Sequence, residues 1–312
     1  MHTPLPSTDT SKAPLTALAS TTLFAAMAMM ARLLSRTIPG HQVALVRFVT
    51  GVAVTVLACA VWRLELRPRR WGWLISRGIF GGAAVLLYFH CIEKIGVGMA
   101  TLLNYTAPVW SLMFAWFFLR ERPRRHAGVA LALTLAGVAL VTSAHAHAWR
   151  LGVWEMVGVL SAVFSGMAIT SIRATRMQDP GGRPSENSWT VFASFTLFGS
   201  LTTLPTVLSP IGSWVSPTLR EWFLLGGCSL VSVAAQLLMT SALGRLTAVG
   251  LGIIQQVTVV LTLVGGWLFF QEDISLRGAI GSLLTIAGVL ASVLAERAST
   301  ESRRTLVSVR GR

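Results

Sequence analysis

The sequence predicts an all-α integral membrane protein: ten transmembrane helices arranged as two inverted five-helix repeats. Three observations predict it. Long apolar stretches recur along the chain, arginines gather in alternate connections, and the two halves repeat at one constant offset.

Of 312 residues, 53% are hydrophobic and only 12% are charged. A soluble domain is nearer a quarter charged, so most of this chain does not face water. A helix rising 1.5 Å per residue needs about 20 apolar residues to cross the hydrocarbon. Ten segments qualify: 14–34, 42–62, 71–92, 96–119, 127–144, 154–172, 187–208, 221–243, 246–270 and 275–295. Segments 96–119, 187–208 and 246–270 carry no ionisable charged side chain, whereas 154–172 is short and has Glu155 at its edge.

An even number of spans puts both termini on one side, and basic residues choose which. With the termini inside, the inner segments hold 18 Lys and Arg and the outer ones 6, with Arg47 and Arg77 left within spans. Both termini are therefore expected in the cytoplasm, in a cell (inner) membrane. The net charge of +14 needs no nucleic-acid partner, because the arginines are distributed by topology. Residues 1–13 form a polar cytoplasmic segment, and 296–312 a basic tail near anionic headgroups. Cys59, Cys91 and Cys228 each fall in an apolar run without CxxC spacing and read as small buried hydrophobes.

A shift of 151 positions aligns Thr134-Leu-Ala-Gly-Val138 with Thr285-Ile-Ala-Gly-Val289. The same shift pairs Trp116 with Trp267, Glu121 with Glu272, Lys94 with Arg245, and Ala83-Ala84 with Ala234-Ala235. The repeat units are 14–144 and 154–295. Five spans per unit is an odd number, so the second unit enters the bilayer from the opposite face. Inverted repeats of this kind recur in secondary transporters, whose halves exchange conformations to open a central site to each side in turn.

The stretch Ala100-Thr-Leu-Leu-Asn-Tyr-Thr-Ala-Pro-Val-Trp110, with Trp116-Phe-Phe-Leu-Arg-Glu-Arg122 and Gly137-Val, resembles the EamA repeat. So does Gly265-Gly-Trp-Leu-Phe-Phe-Gln-Glu272 with the later Gly288-Val. The resemblance is to EamA-type transporters of the drug/metabolite transporter (DMT) superfamily, over roughly residues 14–295. It implies a carrier of amino acids, nucleotides, sugars or drugs, with no cofactor. Arg47-Phe48 and Arg77-Gly78 are similar to features of bacterial metabolite-uptake branches, S-adenosylmethionine carriers among them. Val259 stands where the first copy has Pro108, so a kink is expected in span four alone.

Span four places Thr101, Asn104, Pro108 and Ser111 on one helical face, and span nine matches it with Gly252, Gln255, Val259 and Thr262. Amides at membrane depth pair with one another or line a wet cavity. Asn104 and Gln255, their neighbours Tyr105 and Gln256, and Gln236, Tyr88 and Arg77 are the candidate substrate-binding residues. Interhelical bonding is the plainer alternative for the amides, and an interfacial ring for Tyr88. Arg47 and Arg77 lie within snorkelling reach of headgroups, and hydrogen bonding to helix carbonyls is the structural alternative. Their functional reading is attraction of an anionic group on the solute. Trp116 and Trp267 are expected to pack or to anchor at the interface, and Gly78 with Gly82 to let helices approach closely.

No phosphate-binding GxxxxGK loop, HExxH or GxSxG motif occurs, so neither an ATPase nor a hydrolase is expected. His145 and His147 lack further ligands, and no metal site is expected. No Asp or Glu falls in the middle of a span, which favours transport down the solute's own gradient or by exchange. His90 is the leading titratable group if protons are coupled. The expected partners are a small polar solute and lipid, no nucleic acid, with a homodimer compatible; the alternatives are a multidrug or toxic-metabolite exporter and a non-transport scaffold. Reporter fusions at the two ends should report the cytoplasmic face for both; opposite faces would refute the ten-span count.

Overall fold

The structure, a computed structural model, describes residues 13–120, 152–176, 185–208, 214–243, 248–272 and 276–288, with isolated positions in 129–140 and at 290–291. Among the described residues every regular element is a helix. In chain order these are α1 (Ala13–Leu34), α2 (Gly40–Trp62), α3 (Trp71–Ile95), α4 (Val97–Asn104), α5 (Ala107–Leu119), α6 (Val153–Arg176), α7 (Ser188–Leu208), α8 (Leu219–Leu243) and α9 (Ala248–Phe270). A further apolar helix, α10, covers Leu276–Gly288. Most of the expected span 127–144, the histidines at 145 and 147, and the tail 296–312 lie outside the described residues.

Among the described residues, seven stretches are long and apolar enough to cross a membrane, α4 and α5 together making one of them, Val97–Leu119. That span is broken where Pro108 was expected to kink it. Pro108 has no N–H for the carbonyl of Asn104, and its ring would collide with that carbonyl in a continuous helix. Tyr105 accordingly leaves helical geometry at φ −79° and ψ 8°. The corresponding α9, with Val259, runs unbroken from Ala248 to Phe270. Arg63 and Arg120 end α2 and α5 in the left-handed conformation, which puts a cation at each helix C-terminus where the macrodipole favours one.

The outer surface is that of a protein solvated by hydrocarbon. Phe117, Phe223, Phe269 and Leu276 are each more than 70% exposed, an apolar surface that water would not tolerate at this extent. Trp116 and Trp267 face outward as well, at 56% and 58% exposed. Within the bundle, hydroxyls find acceptors inside their own helices. Thr21 donates to Ala17 O, Thr55 to Gly51 O, Thr203 to Gly199 O, Thr262 to Thr258 O and Thr285 to Gly281 O, at 2.8 to 3.0 Å. No water is available at that depth, so these bonds remove the penalty of a buried hydroxyl.

Helices pack mainly across the two halves of the chain. α1 lies against α8 and α9, while α6 lies against α3 and the α4–α5 span; α2 packs on α7, and α4 on α9. The largest buried cluster joins Phe24, Ala28 and Ala31 of α1 to Phe89 and Ile92 of α3 and Leu225 and Cys228 of α8.

The contact between α3 and α7 is set by glycine. A Cβ on Gly82 would stand 2.7 Å from the Cα of Gly199, backbone against backbone. Gly78, four residues earlier, faces the main chain at Ser194 O in the same way, at 2.7 Å. This is the close approach expected of the small-xxx-small pair. Gly82→Val should lower the detergent melting temperature, through overpacking of about 1–3 kcal/mol. An unchanged melting temperature would mean the two helices separate freely.

Candidate functional site

The broken span does more than bend. In a continuous helix, neighbouring side chains point about 100° apart, so only one of two adjacent residues faces a given cavity. The break at 105–106 lifts that restriction, and both Asn104 and Tyr105 line a central cavity. In the unbroken α9, Gln255 lines the same cavity while Gln256 does not. Gln256 is instead 5% exposed, and its Nε2 has no hydrogen-bond partner among the described residues. The expectation for Gln256 is therefore corrected, by the helical geometry that turns it away.

The cavity is about 140 Å³ and draws on both halves of the chain. At roughly 10–15 Å³ per water site, that is room for several waters or a small solute. Phe24 and Met27 come from α1, Arg47 from α2, Arg77 and Tyr88 from α3, Ser165 from α6, Phe195 from α7, Gln236 and Met239 from α8. Six of the seven residues singled out from the sequence line it: Asn104, Tyr105, Gln255, Gln236, Tyr88 and Arg77.

Their polar atoms are already ordered. Asn104 Nδ2 donates to Ser161 Oγ at 2.6 Å and to Ser165 Oγ at 3.1 Å, and Ser161 donates onward to Ala84 O at 2.9 Å. Tyr88 is 7% exposed and shares a 2.7 Å bond with Thr101 Oγ1, so it is an interior ring and not an interfacial one. Gln255 Nε2 points at Met239 Sδ at 3.3 Å, a weak acceptor that leaves the amide free for a better one. His90 does not join the cavity. It bonds Leu86 O at 2.9 Å and stacks on His41 with centroids 5.7 Å apart.

The structure overturns the snorkelling expectation for the two intramembrane arginines. Arg47 and Arg77 are each 5% exposed and line the cavity in place of reaching headgroups. Arg47 was not among the residues chosen from the sequence. A signal existed, since it has no acidic partner on its own helix. Distance from the helix end could not reveal which way the side chain turns.

A second cluster ties the halves together at one end of the bundle. Glu272, just past α9, accepts from Val97 N at 2.9 Å and Gly98 N at 3.1 Å, capping the exposed N–H groups that begin α4. The same carboxylate pairs with Arg32 Nε of α1 at 2.9 Å. Gly96 precedes α4 at φ +84°, and a Cβ there would meet the Glu272 carboxylate.

A bundle of membrane-spanning helices around a cavity shared by both halves, apolar in the main with a few polar groups converging on it, is the architecture of a solute carrier. Residues 11–143 and 152–294 each match the EamA-like transporter family, and the chain belongs to that family. Over 272 residues it is 26% identical to the pseudopaline exporter CntI of Pseudomonas aeruginosa, covering 87% of this chain and 90% of that protein. It is 24% identical over 229 residues to human solute carrier family 35 member G1, covering 69% of this chain and 60% of the relative. A crystal structure superposes over 92% of this chain and 98% of its own, with a TM-score of 0.61 at 21% identity, a likeness of fold. The family and these relatives are transporters, not enzymes.

Glu272→Gln should lower the melting temperature by the loss of charge-assisted hydrogen bonds and an ion pair, about 1–3 kcal/mol. Arg32→Ala should produce part of the same loss. If Glu272→Gln melts like the parent, the carboxylate does not hold the halves together.

Proposed function

We propose that the chain is a secondary transporter that moves a small polar metabolite across the inner membrane by alternating access, through ten spans in two inverted repeats with both termini cytoplasmic. The observation that carries this reading is the cavity. It sits where the two halves meet, takes lining from each, and is built around the broken α4–α5 span.

The packing supports the inverted repeat. The 151-residue shift carries α2 onto α7, α3 onto α8 and the α4–α5 span onto α9, and chain order then pairs α1 with α6. The contact of α1 with α8 then maps onto that of α6 with α3, and α1 with α9 onto α6 with α4 and α5. The α2–α7 and α4–α9 contacts map onto themselves, as elements on a pseudo-two-fold axis would. A rocking motion that exchanges the conformations of the halves conserves this set of contacts while moving the opening of the cavity. The carboxylate at 272 is then a closing contact at one end of the bundle.

Substrate binding falls to Asn104, Tyr105, Gln255, Gln236, Tyr88 and Arg77. The six are polar or amphipathic groups in an apolar frame that includes Phe24, Met27, Met239 and Phe195. That balance favours a polar metabolite over a bulky hydrophobic drug. The similarity to a protein named as an exporter supports outward movement.

Purified protein in proteoliposomes should show saturable counterflow of a small polar solute. Asn104→Ala and Gln255→Ala should each reduce it by about tenfold, the cost of one hydrogen bond to a charged group. Uptake untouched by both substitutions would put the site elsewhere.

A further inference from the structure

Two positive charges face the cavity, and among the described residues no negative one does. Arginine keeps its proton at any physiological pH, so it cannot escape the cost of burial by neutralising as a lysine does. Arg77 lies 4.0 Å above the ring of Phe195, and its Nε has no hydrogen-bond partner among the described residues. Arg47 donates through Nε to Ser232 Oγ and stands 5.6 Å from the centre of the same Phe195 ring. A cation over an aromatic ring recovers only part of the cost of burying the ion.

The described carboxylates are committed elsewhere. Glu93 receives Gly40 N and pairs with Lys94, Glu186 receives Arg69 N and Arg70 N, and Glu272 pairs with Arg32. None of the six described acids lines the cavity. The site is therefore built with a charge deficit that a bound molecule has to complete.

We propose that the transported solute is a small dicarboxylate, with one carboxylate received by Arg77 and the other by Arg47. This rests on the transporter reading above. The planar guanidinium fork matches a carboxylate in two parallel hydrogen bonds. Both guanidinium groups lie within 5.6 Å of the centre of the Phe195 ring, which keeps them close enough for a single small molecule to bridge. Asn104, Gln236 and Gln255 supply neutral hydrogen bonds to the body of the solute. The loaded site is electrically neutral, which is the state best suited to crossing a low-dielectric barrier.

The test is counterflow in proteoliposomes with radiolabelled succinate and malate, against leucine, S-adenosylmethionine and inorganic phosphate. Dicarboxylate exchange is expected, reduced about tenfold or more by Arg77→Gln and by Arg47→Gln. Exchange of leucine, S-adenosylmethionine or phosphate without either dicarboxylate would overturn the proposal and leave the carrier standing. No exchange of any probe by folded protein would count against the carrier reading itself. A second measurement stands apart from transport. Arg77→Gln removes an uncompensated charge, so the ligand-free protein should melt about 2–4 °C higher. Succinate should raise the melting temperature of the parent and not of this variant. If ligand-free Arg77→Gln melts lower than the parent, Arg77 is a structural residue and the proposal falls.

Discussion

What constrains every part of this molecule is the absence of water along most of its length. A backbone amide or side-chain hydroxyl at membrane depth has to find its partner inside the protein. Helices satisfy the backbone, and the threonines and serines of α1, α2, α7 and α9 return their hydroxyl protons to a carbonyl one turn back. Where the helix ladder is interrupted, substitutes are present. Pro108 frees the carbonyl of Asn104, and the Glu272 carboxylate takes up the N–H groups of Val97 and Gly98. The start of α4 is thus satisfied by a residue from the other half of the chain.

Set against that economy, a few buried polar atoms among the described residues lack a partner, one at the cavity and others, such as Gln256 Nε2 and Thr190 Oγ1, away from it. Interior polar groups are mostly bonded to protein, yet the cavity keeps Arg77 without a partner for its Nε and a glutamine amide resting on a thioether. Arg47 has Ser232 and three aromatic rings around it, while Arg77 has the Phe195 ring and no partner for its Nε among the described residues. Groups left incomplete beside a cavity keep hydrogen-bonding capacity that a molecule entering it can use.

The broken span shows how sequence becomes geometry here. One proline separates α4 from α5, and the resulting two-residue gap presents Asn104 and Tyr105 to the same space. The other half has valine at that position and a continuous helix, which presents Gln255 and turns Gln256 away. The two halves are alike in plan and differ at the site, so a carrier built on a repeat still offers an asymmetric cavity to its solute.

Most of the helices could be read directly from the chain, because a hydrocarbon solvent imposes length and polarity on each span separately. The ends of α1, α2, α3 and α7 fall within three residues of their expected limits for that reason. The proline break was equally local, since a missing N–H acts on its own turn. Six of the seven candidate residues, legible as polar groups stranded in apolar runs, line the cavity. Gln256 was not separable from Gln255, and Arg47 was left out, because the direction a side chain takes depends on helices far away in the chain. Phe195, which touches both arginines, is one more phenylalanine in an apolar sequence until α7 is packed against α3. Sequence by itself determined where the chain crosses, where one crossing breaks, and which residues are too polar for lipid, all consequences of one-dimensional composition. Only the tertiary structure decided which of them meet, because a shared cavity is a property of helices brought together and not of any one of them.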